Sequence, residues 1–259
     1  MTRFASLGSG SQGNGLVFEA GGTRLLLDCG FNPREVKARL ARLGLAPEDL
    51  AGIIVTHEHS DHVGGVFALA KQARLPVWLT YGTFCAVREA DEEVAQGVEV
   101  TLIDGLEAVA IGDVQVQPFT VPHDAREPVQ YVLSDGKSRL GVLTDTGCAT
   151  PHIEAMLSGC EALVLEANHD RDMLSRGAYP AWLKARVGGR FGHLSNGASA
   201  ALLAALDCSR LRHVVAAHLS HQNNTPQLAR SALESALGCE PEWIALADQA
   251  EGFAWRDLS

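Results

Sequence analysis

The stretch Thr56-His57-Glu58-His59-Ser60-Asp61-His62 constrains this chain more than any other, since it joins the apolar run Ile53-Ile54-Val55 to Val63-Gly64-Gly65-Val66. In extended backbone alternate side chains share a face, so His57 and His59 can grip one metal ion. Asp61 and His62, where the chain turns into a helix, can grip a second. The spacing differs from H-E-x-x-H, which sets a helical i, i+4 pair on a single ion. A lone histidine between apolar residues is ordinarily a satisfied core side chain. Three histidines, a glutamate and an aspartate crowded against a buried strand end would leave several polar groups unpaired, which is costly without a metal.

At 259 residues with 46% hydrophobic content the chain can bury a sizeable core, and we read residues 1–259 as one domain. No run of about 18 apolar residues exists, so no membrane span is expected. Met1-Thr2-Arg3-Phe4 leads into a strand-like run without a signal-peptide core, which points to the cytoplasm. The six cysteines are scattered without a CxxC pair and read as reduced small hydrophobes. A net charge of −10 argues mildly against nucleic-acid binding. Its distribution is uneven, because Arg171, Arg176, Lys184, Arg186 and Arg190 are offset in their segment only by Asp172. Bound divalent ions would add positive charge at the site itself.

Taken in order, Phe4 to Leu7, Leu16 to Glu19 and Arg24 to Asp28 read as three short strands. The Gly/Ser loop carrying Ser11 and Asn14 is either a plain hairpin turn or a wall of the metal cleft whose amides and Asn14 side chain touch phosphate. Asp28 closes the third strand and is placed to orient a ligating imidazole. Asn32-Pro33 opens a helix to about Leu43. Ile53 to Val55 is the strand of the metal motif, followed by one helix from Asp61 to Ala73, a strand from Pro76 to Leu79 and a helix near Phe84 to Ala90. From about Val98 to Leu143 only strands are expected, with Asp104-Gly105, Gly112-Asp113 and Asp135-Gly136 as hairpin turns. Helices and strands then alternate: Ala162 to Leu165, Ser195 to Leu206, His213 to Ala217, Pro226 to Leu237 and Trp243 to Ala245. The fold class that fits is α+β, a four-layer αββα sandwich.

The remaining ligand candidates all follow strands: His123 after Phe119-Thr120-Val121-Pro122, Asp145 after Val142-Leu143-Thr144, His218 after Val214-Val215-Ala216-Ala217. Three metal-competent side chains at strand exits suggest a common rim. His57, His59 and His123 would then hold one ion, Asp61, His62 and His218 the other, and Asp145 would bridge them.

Through His57-x-His59-x-Asp61-His62, His123, Asp145 and His218 the chain resembles the metallo-β-lactamase superfamily, over essentially its whole length. The resemblance implies an αββα sandwich of two similar halves with a dinuclear site at one edge. Leu165-Glu166-Ala167-Asn168-His169-Asp170 and Gly192-His193-Leu194-Ser195-Asn196 look like the paired Glu and His segments of superfamily phosphodiesterases such as tRNase Z. Carried over, His193 donates a proton or contacts phosphate and Glu166 orients it, although both can also be ordinary loop and capping residues, as Ser195 and Asn196 can cap the helix from 197. With Ser9-Gly10-Ser11-x-Gly13-Asn14 and His218-Leu219-Ser220-His221-x-Asn223-Asn224 added, the chain is similar to the bacterial YycJ/WalJ group, regarded as metal-dependent 5′ to 3′ DNA exonucleases.

That resemblance implies two divalent ions, zinc or manganese, with iron accepted by the same ligand types. A hydroxide between the ions attacks phosphorus, and Asp61, His193 and Glu166 are the catalytic candidates. Expected substrate contacts are Ser11, Asn14, Asn168, His169, Asn196, His221, Asn223, Asn224, Arg171 and Arg176, with nucleic acid, most simply DNA, as the partner. A cyclic-phosphodiester hydrolase or an RNA-processing nuclease shares nearly all of this chemistry. A thioesterase, a lactonase or a catalytically silent DNA-binding scaffold keeps the fold without the phosphodiester reaction.

Overall fold

In a computed structural model, which describes residues 1–258, the chain builds two seven-stranded sheets. It opens with an antiparallel meander of β1 (Thr2–Gly8), β2 (Gly15–Ala20) and β3 (Thr23–Leu27). The two-residue alternation of a strand decides where its side chains go: Leu25 and Leu27 point between the sheets, Leu26 outward. Outside lie α1 (Pro33–Arg42), capped by Asn32 Oδ1 accepting from the Glu35 amide at 3.0 Å, and later α3 (Val66–Ala73). Between them β4 (Gly52–Ile54) adds in parallel to β3, and the metal motif leads from its end into the single turn α2 (Ser60–Val63).

The one helix expected from Asp61 to Ala73 is therefore two. Gly64 and Gly65 divide them because the chain is pressed against the loop after β3: the Gly65 amide donates to Cys29 O at 2.7 Å, and a Cβ there would lie 1.7 Å from Phe31 O. After α3 come β5 (Val77–Thr80), α4 (Tyr81–Ala90) and β6 (Val100–Ile103), the strands adding in parallel.

Asp104-Gly105 is not a hairpin. β6 closes the first sheet, and the chain crosses there to β7 (Val109–Ile111), the edge of the second. From β7 the expected hairpins do form, through β8 (Val114–Thr120), β9 (Val129–Ser134) and β10 (Arg139–Leu143). After α5 (Pro151–Leu157), β11 (Ala162–Glu166) pairs in parallel with β10. Then follow α6 (Arg171–Arg176), α7 (Ala181–Val187), α8 (Asn196–Ala205), β12 (His213–Ala217) parallel to β11, α9 (Pro226–Leu237) and β13 (Ile244–Leu246). Finally β14 (Phe253–Asp257) returns to pair with β1.

Helices α5, α6, α7 and strand β14 fall outside the elements read from sequence. Leu174 is the only buried residue of α6 and α7 has none, so neither carries the apolar stripe that marks a helix.

The sheets pack face to face around Phe4, Phe18 and Tyr131, with helices outside each, which makes the four layers. Burying a side chain such as Phe4 or Phe18 contributes about 1.5–3 kcal/mol. Tyr131 brings a hydroxyl into this interior and donates it to Val55 O at 2.7 Å, which fixes the strand end that precedes the metal motif. The six cysteines are separate thiols. Among the described residues no helix is long and apolar enough to cross a membrane.

Candidate metal centre

Parallel pairing builds the site. Leu143 is opposite Leu165 and Glu166 opposite Ala217, so the ends of β10, β11 and β12 deliver Asp145, Glu166 and His218 to one edge of the second sheet. The motif leaving β4 of the first sheet faces them. Asp28, Asp145 and His218 each turn sharply off a strand end with left-handed backbone, φ 59, 54 and 55°. Asp and His tolerate that region better than most residues, and such conformations cost about 1–3 kcal/mol each unless the surroundings enforce them.

Overlapping clusters result. One ligand atom from each of His57, His59 and His123 lies within 4.8 Å of the others, and the same holds for Asp61, His62 and His218. Asp145 reaches both, with Oδ2 2.9 Å from His62 Nε2 and Oδ1 4.0 Å from His123 Nε2. The seven residues of the expected ligand set are thus brought together; His57, His62 and Asp145 also lie within the same reach of one another, as do Asp145, Glu166, His193 and His218, so the groups overlap.

The imidazoles are gripped from behind. His62 Nδ1 lies 2.8 Å from Asp28 Oδ2, His57 Nδ1 2.9 Å from Thr56 Oγ1, and His123 Nδ1 3.1 Å from Gly192 O. Asp28 in turn accepts from the Thr56 amide and hydroxyl at 2.8 and 2.9 Å, which locks the motif to β3. With Nδ1 occupied, Nε2 of these three rings is left to face the centre, whereas His59 turns Nδ1 towards His123 Nε2 at 3.2 Å. His57 Nε2 is fully buried and has no hydrogen-bond partner. A cation fits there: an orphaned buried nitrogen is costly unless something accepts its lone pair.

Charge is strongly coupled across the centre. Burial, reinforced by the neighbouring His62, pushes His57 well below the usual histidine range. For His62 burial acts in the same direction, but Asp145 and Asp28 outweigh it and hold the ring well above that range. His218 is likewise raised to about 10, against its burial, by Asp145, Asp61 and Glu166. Burial would raise Asp61 and Glu166, yet the adjacent histidines bring both down to about 2. Without cations, protons on His62 and His218 balance the carboxylates.

Glu166 is fully buried and its Oε1 lies 2.8 Å from His193 Nδ1 and 3.2 Å from His218 Nδ1. Its other oxygen accepts from the Leu194 amide at 3.0 Å. His193 lines a cleft of about 320 Å³ together with Asp61, Asp145 and His218.

The substrate candidates divide. Ser11 and Asn168 line this cleft. Asn14 sits behind it, 3.1 Å from His62 Nε2 and donating to Gly10 O and Asp61 O. Asn196 and Asn224 exchange amide hydrogen bonds at 2.8 Å in both directions, and Asn223 is buried against Ser220. These four amides brace loops rather than face open space. His169 is buried beside Ser195, and His221 borders a separate cavity of about 370 Å³. Arg171 binds Ser195 Oγ at 3.2 Å and Arg176 pairs with Asp172 at the surface; the cleft takes Arg186 and Tyr179 instead. Tyr179, Ser60 and Ser220 also line the cleft and were not singled out from sequence. Nor was Asp124, 3.5 Å from His123 Nε2, for which adjacency to His123 was the available signal.

The family model described as Beta-lactamase superfamily domain matches residues 23–219. The chain belongs to the metallo-β-lactamase superfamily. Among members of this superfamily it is 34% identical over 234 residues to exodeoxyribonuclease YycJ of Bacillus anthracis, which covers 90% of this chain and 88% of that protein. It is 31% identical over 237 residues to exodeoxyribonuclease WalJ of Streptococcus pneumoniae, covering 91% and 88%. The crystal structure of the metallo-β-lactamase fold protein YhfI from Bacillus subtilis superposes with a TM-score of 0.76 at 15% identity, covering 98% of both chains. That last likeness speaks to the fold alone.

Proposed function

We propose that this protein is a metal-dependent nuclease that degrades DNA from the 5′ end towards the 3′ end, working as one domain over residues 1–259 in the cytoplasm. It is a hydrolase of phosphodiester bonds. Similarity to two exodeoxyribonucleases along nearly all of the chain supports the substrate class. The observation that carries the chemistry is the imidazole of His193, held by buried Glu166 at 2.8 Å on the lip of the cleft that Asp61, Asp145 and His218 line.

His57, His59 and His123 would hold one divalent ion, Asp61, His62 and His218 the other, with Asp145 shared; zinc, manganese and iron all suit these donors. When bound, such ions make hydroxide available from water at neutral pH and neutralise charge on a phosphate. The protein's own part is to orient and to move a proton. Glu166 occupies Nδ1 of His193, so Nε2 remains for the departing alkoxide. Burial disfavours the charged ring, but Glu166, helped by Asp145, outweighs it and holds His193 above its ordinary pKa, which favours the protonated, donating ring. Ser11, on the cleft wall, is placed to steady a phosphate oxygen, while the Asn168 amide donates to His218 O at 2.9 Å and positions that ligand.

Digestion of end-labelled single-stranded and duplex DNA and of RNA, with zinc or manganese supplied, tests this reading. The expected result is mononucleotide release from a 5′ label on DNA, lost in Asp145→Ala. Cleavage of RNA only, or of cyclic nucleotides in place of linear DNA, would overturn it.

A further inference from the structure

From the aromatic side chains beside the cleft we infer that α7 and the turn after it form a stacking platform for the unpaired bases of a DNA strand whose end lies at the metal centre. This rests on the nuclease reading and adds what holds the strand outside the cleft. Trp182 is 67% and Phe191 62% exposed, two large aromatic side chains left in water on one short segment. Trp182 and Arg186 stand four residues apart on α7 and therefore share a face of the helix. Arg186 and the neighbouring Tyr179 line the cleft, so that face runs outward from the scissile position.

The segment is also anchored to the ligands. Arg186 Nε binds Asp124 Oδ2 at 2.6 Å, and Asp124 lies beside His123. The Arg190 backbone abuts Gly147, two residues beyond Asp145, where a Cβ would come within 2.2 Å of the Arg190 carbonyl carbon. Phe191 O accepts the Asp124 amide at 3.0 Å. A platform fixed in this way keeps its distance from the metal centre.

Charge selects the partner. On a chain of net charge −10 this segment carries Arg171, Arg176, Lys184, Arg186 and Arg190 against one acid of its own, Asp172; Arg176 pairs with Asp172 and Arg186 with Asp124, which leaves Arg171, Lys184 and Arg190 without an acidic partner among the described residues. Aromatic faces interleaved with cations suit a single strand, whose bases are free to stack while its phosphates are neutralised. A duplex hides those base faces. An acidic protein surface would use the cations and leave the aromatic faces without bases to stack on.

The metal-loaded enzyme can be assayed on single-stranded DNA with normal bases and on the same strand with abasic residues downstream of the cleaved bond. Wild type is expected to lose about tenfold in kcat/KM on the abasic strand, mainly through KM, as stacking losses of this kind usually give. Trp182→Ala should show that loss on the normal strand and almost no further loss on the abasic one, whereas Trp182→Phe restores the difference. As a readout separate from cleavage, a phosphorothioate-linked oligothymidylate should quench tryptophan fluorescence in wild type and much less in Trp182→Ala. Equal rates on normal and abasic strands in wild type, or quenching by duplex or RNA in preference to single-stranded DNA, overturns the platform while leaving the nuclease reading intact. Quenching with no cleavage of any DNA supports the platform and overturns the nuclease.

Discussion

Oε1 of Glu166 lies 2.8 Å from Nδ1 of His193. Because Glu166 raises the pKa of His193 against its burial, it extends the pH range in which the imidazole is an acid. Removing the carboxylate charge in Glu166→Gln lowers that pKa, so the alkaline limb of the kcat profile should move to lower pH at saturating metal. His193→Ala should cost about 10²–10⁴-fold in kcat with metal content retained. A pH–rate profile for each variant, with metal measured by mass spectrometry, checks both; an unshifted alkaline limb in Glu166→Gln would remove the proton-donor role.

The contact between Asp28 and His62 has a different consequence, because it acts from behind the ligand. Asp28→Asn keeps a residue that accepts left-handed backbone, yet it replaces the charge opposite His62 Nδ1. Loss of such a supporting carboxylate typically weakens metal binding about 10–100-fold. Competition against a chromophoric chelator gives the affinity directly, and a value equal to wild type would show that Thr56 alone suffices to hold the motif.

Metal uptake should release protons. His218, raised to about 10, and His62, also raised, carry protons in the metal-free centre at pH 7 and must lose them to bind a cation. Affinity therefore climbs with pH towards 10. The same shift sets the stability of the metal-free protein: His218 binds its proton more tightly folded than unfolded, so its contribution is complete below its unfolded pKa near 6.5 and fades as pH rises towards 10. Calorimetric titration in buffers of differing ionisation enthalpy counts the protons, and thermal melts after chelation follow the second effect. Buffer-independent heats would contradict this picture.

Much of the centre was legible because His57, His123, Asp145 and His218 follow apolar strand runs within one to three residues of the strand end, and parallel pairing of β10, β11 and β12 then leaves little freedom in where they meet. What stayed hidden had no such periodicity. Tyr179 is a single aromatic ahead of a proline on a segment that buries almost nothing, so no pattern sets it apart. Asp104-Gly105 has the composition of a hairpin turn, and only the pairing of β6 with β5 shows that the chain changes sheets there. From sequence Asn196 is open to a helix cap or a phosphate contact and Asn224 to a phosphate contact; their mutual pairing across 28 residues of sequence is a tertiary fact that no local reading contains.

That asparagine pair makes the last expectation a matter of stability. Asn224 Nδ2 also donates to Ala167 O at 2.7 Å and Asn168 O at 3.1 Å, tying the loop after β12 to the loop after β11. Asn224→Ala leaves the Ala167 carbonyl and the Asn196 amide without that partner, while Asn168 O keeps the Ser220 amide at 2.8 Å, and unsatisfied buried groups cost about 1–3 kcal/mol each when water does not reach them. Partial relaxation should bring the total to about 2–3 kcal/mol, measured by denaturant unfolding of the metal-loaded protein. A residue whose amide chiefly met phosphate would give the opposite profile, with stability kept and KM raised, so the two measurements on one variant decide which role Asn224 has.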